Sequence, residues 1–221
     1  MADNDGSGLL IFSLQMAAAM VCAVGGALAA GRKRLDVVGV VFISFVAAVG
    51  GGSLRDLLLD RNPVFWLAQP SYLTASLVAG ALTWLFIRRW RAADQFLNYI
   101  DAFGLALFTI SGIQIAQEMN QGTLICLVMG VITGVAGGLL RDLLCGEIPS
   151  IFKGGELYAS AALIGGAAFF VAEALGANGR LCALAGAVTI IALRFGCTSL
   201  GMALAGARNQ TVRVSKNPGG G

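Results

Sequence analysis

Two matched clusters hold the residues of this chain that could do chemistry. In the first, Val49 to Pro63, Arg55 and Asp56 follow Gly50, Gly51 and Gly52. In the second, Val135 to Pro149, Arg141 and Asp142 follow Gly137 and Gly138. Neither cluster suits covalent catalysis. The chain has no histidine and no CxxC spacing, so a histidine-based triad and a Cys/His metal centre are excluded by inventory. Cys22, Cys126, Cys145, Cys182 and Cys197 are scattered through apolar sequence and read as small core residues. An arginine and a carboxylate beside a glycine run offer electrostatics instead: opposite charges, and backbone carbonyls loosened by glycine. The expectation is a non-enzyme with no cofactor and no resident metal.

Those charges stand in expensive company. The 221 residues are 57% hydrophobic and 12% charged, against roughly 25% charged in soluble domains. So few charges cannot cover a water-exposed surface, and the membrane is the natural solvent. Uncharged runs such as Gly6 to Gly31, Val37 to Leu54 and Met119 to Leu140 reach spanning length. Seven helices are expected, at 8–31, 36–59, 71–88, 98–117, 122–145, 156–174 and 181–206, giving an all-α polytopic membrane protein. The first run is preceded by Asp3 and Asp5 rather than by basic residues, and it is longer than a signal-peptide core, so it reads as a retained helix. Trp66, Trp84, Trp90, Tyr72 and Tyr158 fit interfacial aromatic belts. The tail 207–221 is polar and glycine-ended, and reads as disordered.

Basic residues set the orientation. With the N-terminus outside, the inner segments hold Arg32, Lys33, Arg34, Arg88, Arg89, Arg91, Lys153, Arg208, Arg213 and Lys216, whereas the outer ones hold Arg61 and Arg180. The positive-inside rule then places the C-terminus in the cytoplasm. The net charge of +3 is topological and calls for no nucleic acid.

The two clusters are copies. Nine of fifteen positions from Val49 and Val135 are identical at a constant offset of 86, and Tyr72/Tyr158, Gly80/Gly166 and Gly26/Gly112 keep the register. The chain divides into repeat one (8–90), repeat two (95–176) and a seventh helix (181–206) within one transmembrane domain, 8–205. Three helices is an odd number, so the second repeat enters the membrane inverted. Transport sites tend to lie at the axis between such repeats, marked by glycine-interrupted segments at matching positions.

Successive glycines in both halves suggest a kink or break. Freed carbonyls there can replace part of a cation's hydration shell. Gly130, Gly134 and Gly138, with counterparts Ser44, Ala48 and Gly52, form small-residue ladders that also allow plain close packing. Ser44 and Thr133 either offer hydroxyls to an ion or bond back to their own helix. Burying an arginine or aspartate at mid-bilayer costs about 2.5–3.5 kcal/mol on insertion scales. Neighbours on a helix point about 100° apart, so each charge is expected to find its partner elsewhere. Three options stand. Arg55 pairs with Asp142 and Arg141 with Asp56 across the repeats; each pairs within its own repeat; or the pairs are snorkelling anchors. Asp101 reads as a carboxylate at the start of the fourth helix. Arg194 has no repeat counterpart and either compensates a buried carboxylate or binds a lipid headgroup.

The stretches GGGSLRDLLLDRNPVFW, DAFGLALFTISGIQIA and GVAGGLLRDLLCGEIPSIF resemble the prokaryotic members of the trimeric intracellular cation channel family, over about residues 8 to 205. The resemblance implies a homotrimer in membrane lipid. Each protomer would carry its own K+/Na+ pore between kinked second and fifth helices, in the inner (plasma) membrane. It carries the kink role to Gly50, Gly51, Gly52, Gly137 and Gly138, and the charged role to Arg55, Asp56, Arg141 and Asp142. Animal members have a lipid-binding lysine in the second kinked helix. Ala136 and its neighbours offer none, so that regulation is not expected. The same bacterial sequences are also grouped under a glycine-transporter-like name. A secondary transporter of a small zwitterion such as glycine is therefore the alternative.

Overall fold

Each apolar run becomes a helix because backbone groups in a bilayer must be satisfied within their own segment. A computed structural model describes residues 4–87, 94–153 and 157–215. Among these residues there is no strand. Seven long helices follow in order: α1 (Asn4–Arg32), α2 (Val37–Leu58), α3 (Ser71–Ile87), α4 (Asp94–Glu118), α5 (Thr123–Leu144), α6 (Ala159–Ala174) and α7 (Gly179–Ser215). A four-residue helix, Phe65–Ala68, lies between α2 and α3, and a 3-10 turn, Ser150–Phe152, follows α5. Segments within α1, α2, α4, α5 and α7 are long and apolar enough to cross a membrane; α3 and α6 are shorter apolar helices.

The ends of α2 and α5 are built alike. Asp36 begins α2 by accepting the Gly39 amide at 2.8 Å. At the far end Asp60 turns left-handed (φ 52°), and its repeat mate Gly146 does the same after α5 (φ 66°). The next amide then reaches back: Arg61 N–H donates to the Asp56 carbonyl at 2.8 Å, and Glu147 N–H to the Asp142 carbonyl at 2.9 Å. These bonds satisfy carbonyls that a helix end otherwise leaves open. Glycine adopts that conformation freely, whereas aspartate tolerates it with more strain.

Among the described residues, buried side chains gather in four sets, two of which join most of the helices. Ala18, Ala19, Ala23, Ala48, Val49, Phe65 and Tyr72 join α1, α2, the four-residue helix and the start of α3, with Phe108 reaching in from α4. Ile110, Ile113, Met129, Phe169 and Cys182 join α4 to α7. Large apolar side chains on other faces, including Val38, Phe42, Phe86, Leu124 and Leu184, are exposed. In water such a surface would aggregate; in lipid it is the expected exterior.

Three expectations need correction. The final helix continues to Ser215 instead of ending near 206, so most of the expected tail is helical; residues 216–221 lie outside the described residues. Tyr72 and Tyr158 are buried core residues rather than members of an interfacial belt. Asp101 lies well inside α4, which starts at Asp94, and therefore cannot act as its N-terminal charge. Trp90 and the expected basic residues Arg88, Arg89 and Arg91 lie outside the described residues.

Candidate functional site

The glycine runs put α2 and α5 in backbone contact. A Cβ built on Gly137 would stand 2.5 Å from the Ala47 carbonyl oxygen, and one on Gly51 would collide with the Thr133 carbonyl. Any side chain at either position forces the helices apart. Gly50 meets Leu140 and Gly52 meets Phe65, both at 2.5 Å from the built Cβ. Gly138 faces the Tyr158 hydroxyl. Both helices are assigned as continuous α-helix through these glycines, so the break that the runs suggest is absent. What the small residues supply here is approach. The ladder partners turn elsewhere: Gly130 and Gly134 pack on α4 at Thr109, Ile113 and Leu105.

Ser44 and Thr133 precede the glycines on α2 and α5 but are not repeat mates: at the offset of 86, Ser44 corresponds to Gly130 and Thr133 to Ala47. Their hydroxyls donate to the carbonyls of Val40 (2.7 Å) and Met129 (2.6 Å) of their own helices. Gly26 of α1 packs on Ser44, and its repeat mate Gly112 of α4 packs on Thr133. Both hydroxyls are therefore enclosed by a neighbouring helix, and neither faces open space.

The charged pairs are buried, not snorkelling. Arg55 and Asp56 have no exposed surface, and Arg141 and Asp142 are each 4% exposed. The expectation that adjacent residues cannot meet fails. The Arg55 guanidinium curls back to Asp56 Oδ1 at 2.7 Å, and Arg141 does the same to Asp142 Oδ1 at 2.8 Å. Arginine's stem is long enough to cover the 100° between neighbours, and with no water competing the bond is worth the turn. The cross-repeat pairing of Arg55 with Asp142 and Arg141 with Asp56 is not what the structure holds.

Each aspartate has a second task. Asp56 Oδ2 accepts the Phe65 amide at 2.7 Å; Asp142 Oδ2 accepts the Ser150 amide at 2.9 Å and its hydroxyl at 3.2 Å. One carboxylate thus fixes its own arginine and pins the start of the helical turn that follows. Trp66 adds a bond from its indole N–H to Ser53 Oγ at 3.0 Å.

The arginines also reach a neighbouring helix, and here the halves diverge. Arg141 Nη1 donates to Asp101 Oδ1 of α4 at 2.7 Å. Arg194 of α7 approaches the other oxygen of the same carboxylate at 3.7 Å and lies over the Tyr158 ring, 4.8 Å from its centre. Arg55 Nη2 donates to the neutral Gln15 Oε1 of α1 at 3.3 Å, and Arg55 lies over the Phe65 ring at 5.6 Å. Gln15 and Asp101 are repeat mates, each 40 residues before its arginine. Gln15 was missed from the sequence and Asp101 was read only as a helix-start carboxylate, although the equal spacing was the available signal. Arg194 does compensate a buried carboxylate, as considered.

Outside the spans, Lys33 Nζ meets Glu147 Oε1 at 3.0 Å, tying the α1–α2 connection to the end of α5. That hydrogen bond holds the Glu147 carboxyl below its ordinary pKa. At the opposite end, a cavity of about 340 Å³ is lined by Gln15, Arg61, Gln69, Tyr72 and Glu118, among others. Among the described residues no acidic, cysteine or histidine cluster is arranged to hold a metal ion.

Exposed apolar helix faces around two buried Arg–Asp centres define a multi-pass membrane protein. The chain belongs to the family described as Glycine transporter, whose profile matches residues 12–88 and again 98–174. It is 43% identical to the UPF0126 inner membrane protein YadS of Escherichia coli, over 72% of this chain and 76% of that one. Its fold is similar to that of the TRIC trimeric intracellular cation channel orthologue from Rhodobacter sphaeroides: TM-score 0.83, 39% identity, 87% of this chain and 98% of that chain. A second structure, solved to explain conductance through TRIC cation channels, aligns at TM-score 0.74 and 30% identity over 85% and 92% of the two chains. These structural neighbours are channels, not enzymes.

Proposed function

We propose that the protein is a monovalent cation channel, conducting K+ and Na+ along a path between α2 and α5 of each protomer. The observation that carries this is the backbone contact of these two helices at Gly51 and Gly137, at equivalent places in a duplicated sequence. A contact with no interlocking side chains at those positions can part without unpacking a core, and the continuous helices describe the shut conformer. Similarity to two cation channel structures above 25% identity supports the same reading.

The finer features belong to the same proposal. Seven spans form two inverted repeats plus α7, the chains assemble as homotrimers, and the protein lies in the inner membrane with its N-terminus outside. The double match of one family profile agrees with the repeat. The Lys33–Glu147 pair agrees with the topology, because it joins two connections that the seven-span count puts on one side.

Purified protein in liposomes tests the function. A channel dissipates a K+ diffusion potential without saturating. Saturable, glycine-dependent uptake with no K+ flux would favour the transporter instead. Arg55→Ala and Arg141→Ala should alter conductance in assembled protein; wild-type flux from both would reduce the charged pairs to scaffolding.

A further inference from the structure

Opening a path between α2 and α5 needs one wall to leave the other, and the two walls are not held alike. α5 is tied to α4 through a full ion pair, Arg141 to Asp101 at 2.7 Å, and Arg194 of α7 neutralises the rest of that carboxylate. The corresponding tie of α2 to α1 is a single 3.3 Å bond from Arg55 to a neutral amide. Arg55 is completely buried, yet its Nη1 has no hydrogen-bond partner among the described residues. A buried guanidinium with an unused donor is poorly satisfied, and such a group gains by moving toward polar space. Polar space adjoins it. Gln15 borders the 340 Å³ cavity, which is roomy against the ~30 Å³ share of a water molecule.

We propose that α2 is the moving wall of the gate and that Gln15 is the positioning residue that sets how readily it moves. The first half opens because it carries an amide where the second half carries Asp101. When the Arg55–Gln15 bond breaks, the guanidinium keeps Asp56 through Nε and Nη2 and turns Nη1 toward the cavity. α2 is then held to α1 by apolar packing alone, while α5 stays fixed by its ion pair to α4, which α7 braces through Arg194. This inference rests on the channel reading.

Liposome K+ flux and planar-bilayer recordings of wild type, Gln15→Glu and Gln15→Ala test it. Gln15→Glu keeps the shape and offers Arg55 a charge-assisted bond, about twice as strong as a neutral one, so flux should fall roughly tenfold. Gln15→Ala removes the tie and should raise flux about threefold, the size of a weak neutral bond. Open probability should carry both changes, with unitary conductance unaltered, since Gln15 is not assigned to the path itself. Opposite signs at one position exclude general damage to the fold. Gel filtration checks assembly; if the glutamate variant fails to assemble, Gln15→Met, which keeps the length but not the bond, must still raise flux. Wild-type open probability in these variants overturns the inference and leaves the channel intact. A wild-type protein that passes no K+ removes the channel reading, and this inference with it.

Discussion

The buried centre around Arg55 and the one around Arg141 share a plan and differ in their outermost partner. Each has an arginine bonded to the next residue, an aspartate that pins the following turn, and an aromatic ring against a guanidinium. The first centre is completed by Gln15, the second by Asp101 and then Arg194. A duplicated unit can therefore keep its folding devices in both copies while one copy changes a single residue on a neighbouring helix. Apart from the aromatic ring, the shared part of the plan is the local one, within ten residues of the arginine; the divergent part depends on tertiary packing.

The largest test of that contrast removes the acid. Asp101→Asn leaves Arg141 and Arg194 short of a buried counter-charge and should destabilise by about 3–5 kcal/mol, the usual consequence of breaking a buried pair. Gln15→Ala should cost about 1 kcal/mol, as for one neutral bond. Denaturant titration in detergent measures both, and equal losses would erase the distinction between the halves. Next, Gly51→Ala and Gly137→Ala each drive a methyl group into a facing carbonyl. Overpacking of this kind costs about 1–3 kcal/mol, and it should be similar in the two copies. A loss at one position only would mean that α2 and α5 do not meet as equals.

The smallest effect lies at the Lys33–Glu147 pair. Glu147 has a folded pKa depressed below its unfolded value, so the pair's contribution is present above the unfolded value and is lost as pH falls through the folded one. Both side chains are about a third exposed, which limits the effect to about 0.2–1 kcal/mol. Comparing wild type with Glu147→Gln at neutral pH and again in acid checks it: the difference should vanish in acid.

Much of this was legible before any coordinates. Helix positions followed from uncharged runs, and the constant offset announced that every device would come in twos. The glycines were found, and of the two uses read for them the structure displays close packing, with no break in either helix. A glycine run reads equally well as a weak point or as a contact point, and only a neighbouring backbone at Ala47 and Thr133 decides for contact. The pairing of Arg55 with Asp56 was misread because helical geometry was applied to Cβ directions and not to the reach of a long side chain. Gln15 was overlooked, and Asp101 was not matched to it, because repeat comparison rewards identity, and here the informative positions differ.

α6 has sixteen residues, and at 1.5 Å per residue it rises ~24 Å. A typical hydrocarbon core is ~30 Å thick. Lipid beside that helix must compress, or the residues flanking it must stretch toward the headgroups, each at a fraction of a kcal/mol per Å. The protein should consequently partition toward bilayers of shorter acyl chains, and bilayer thickness becomes a mechanical input acting on the helix bundle through its shortest member.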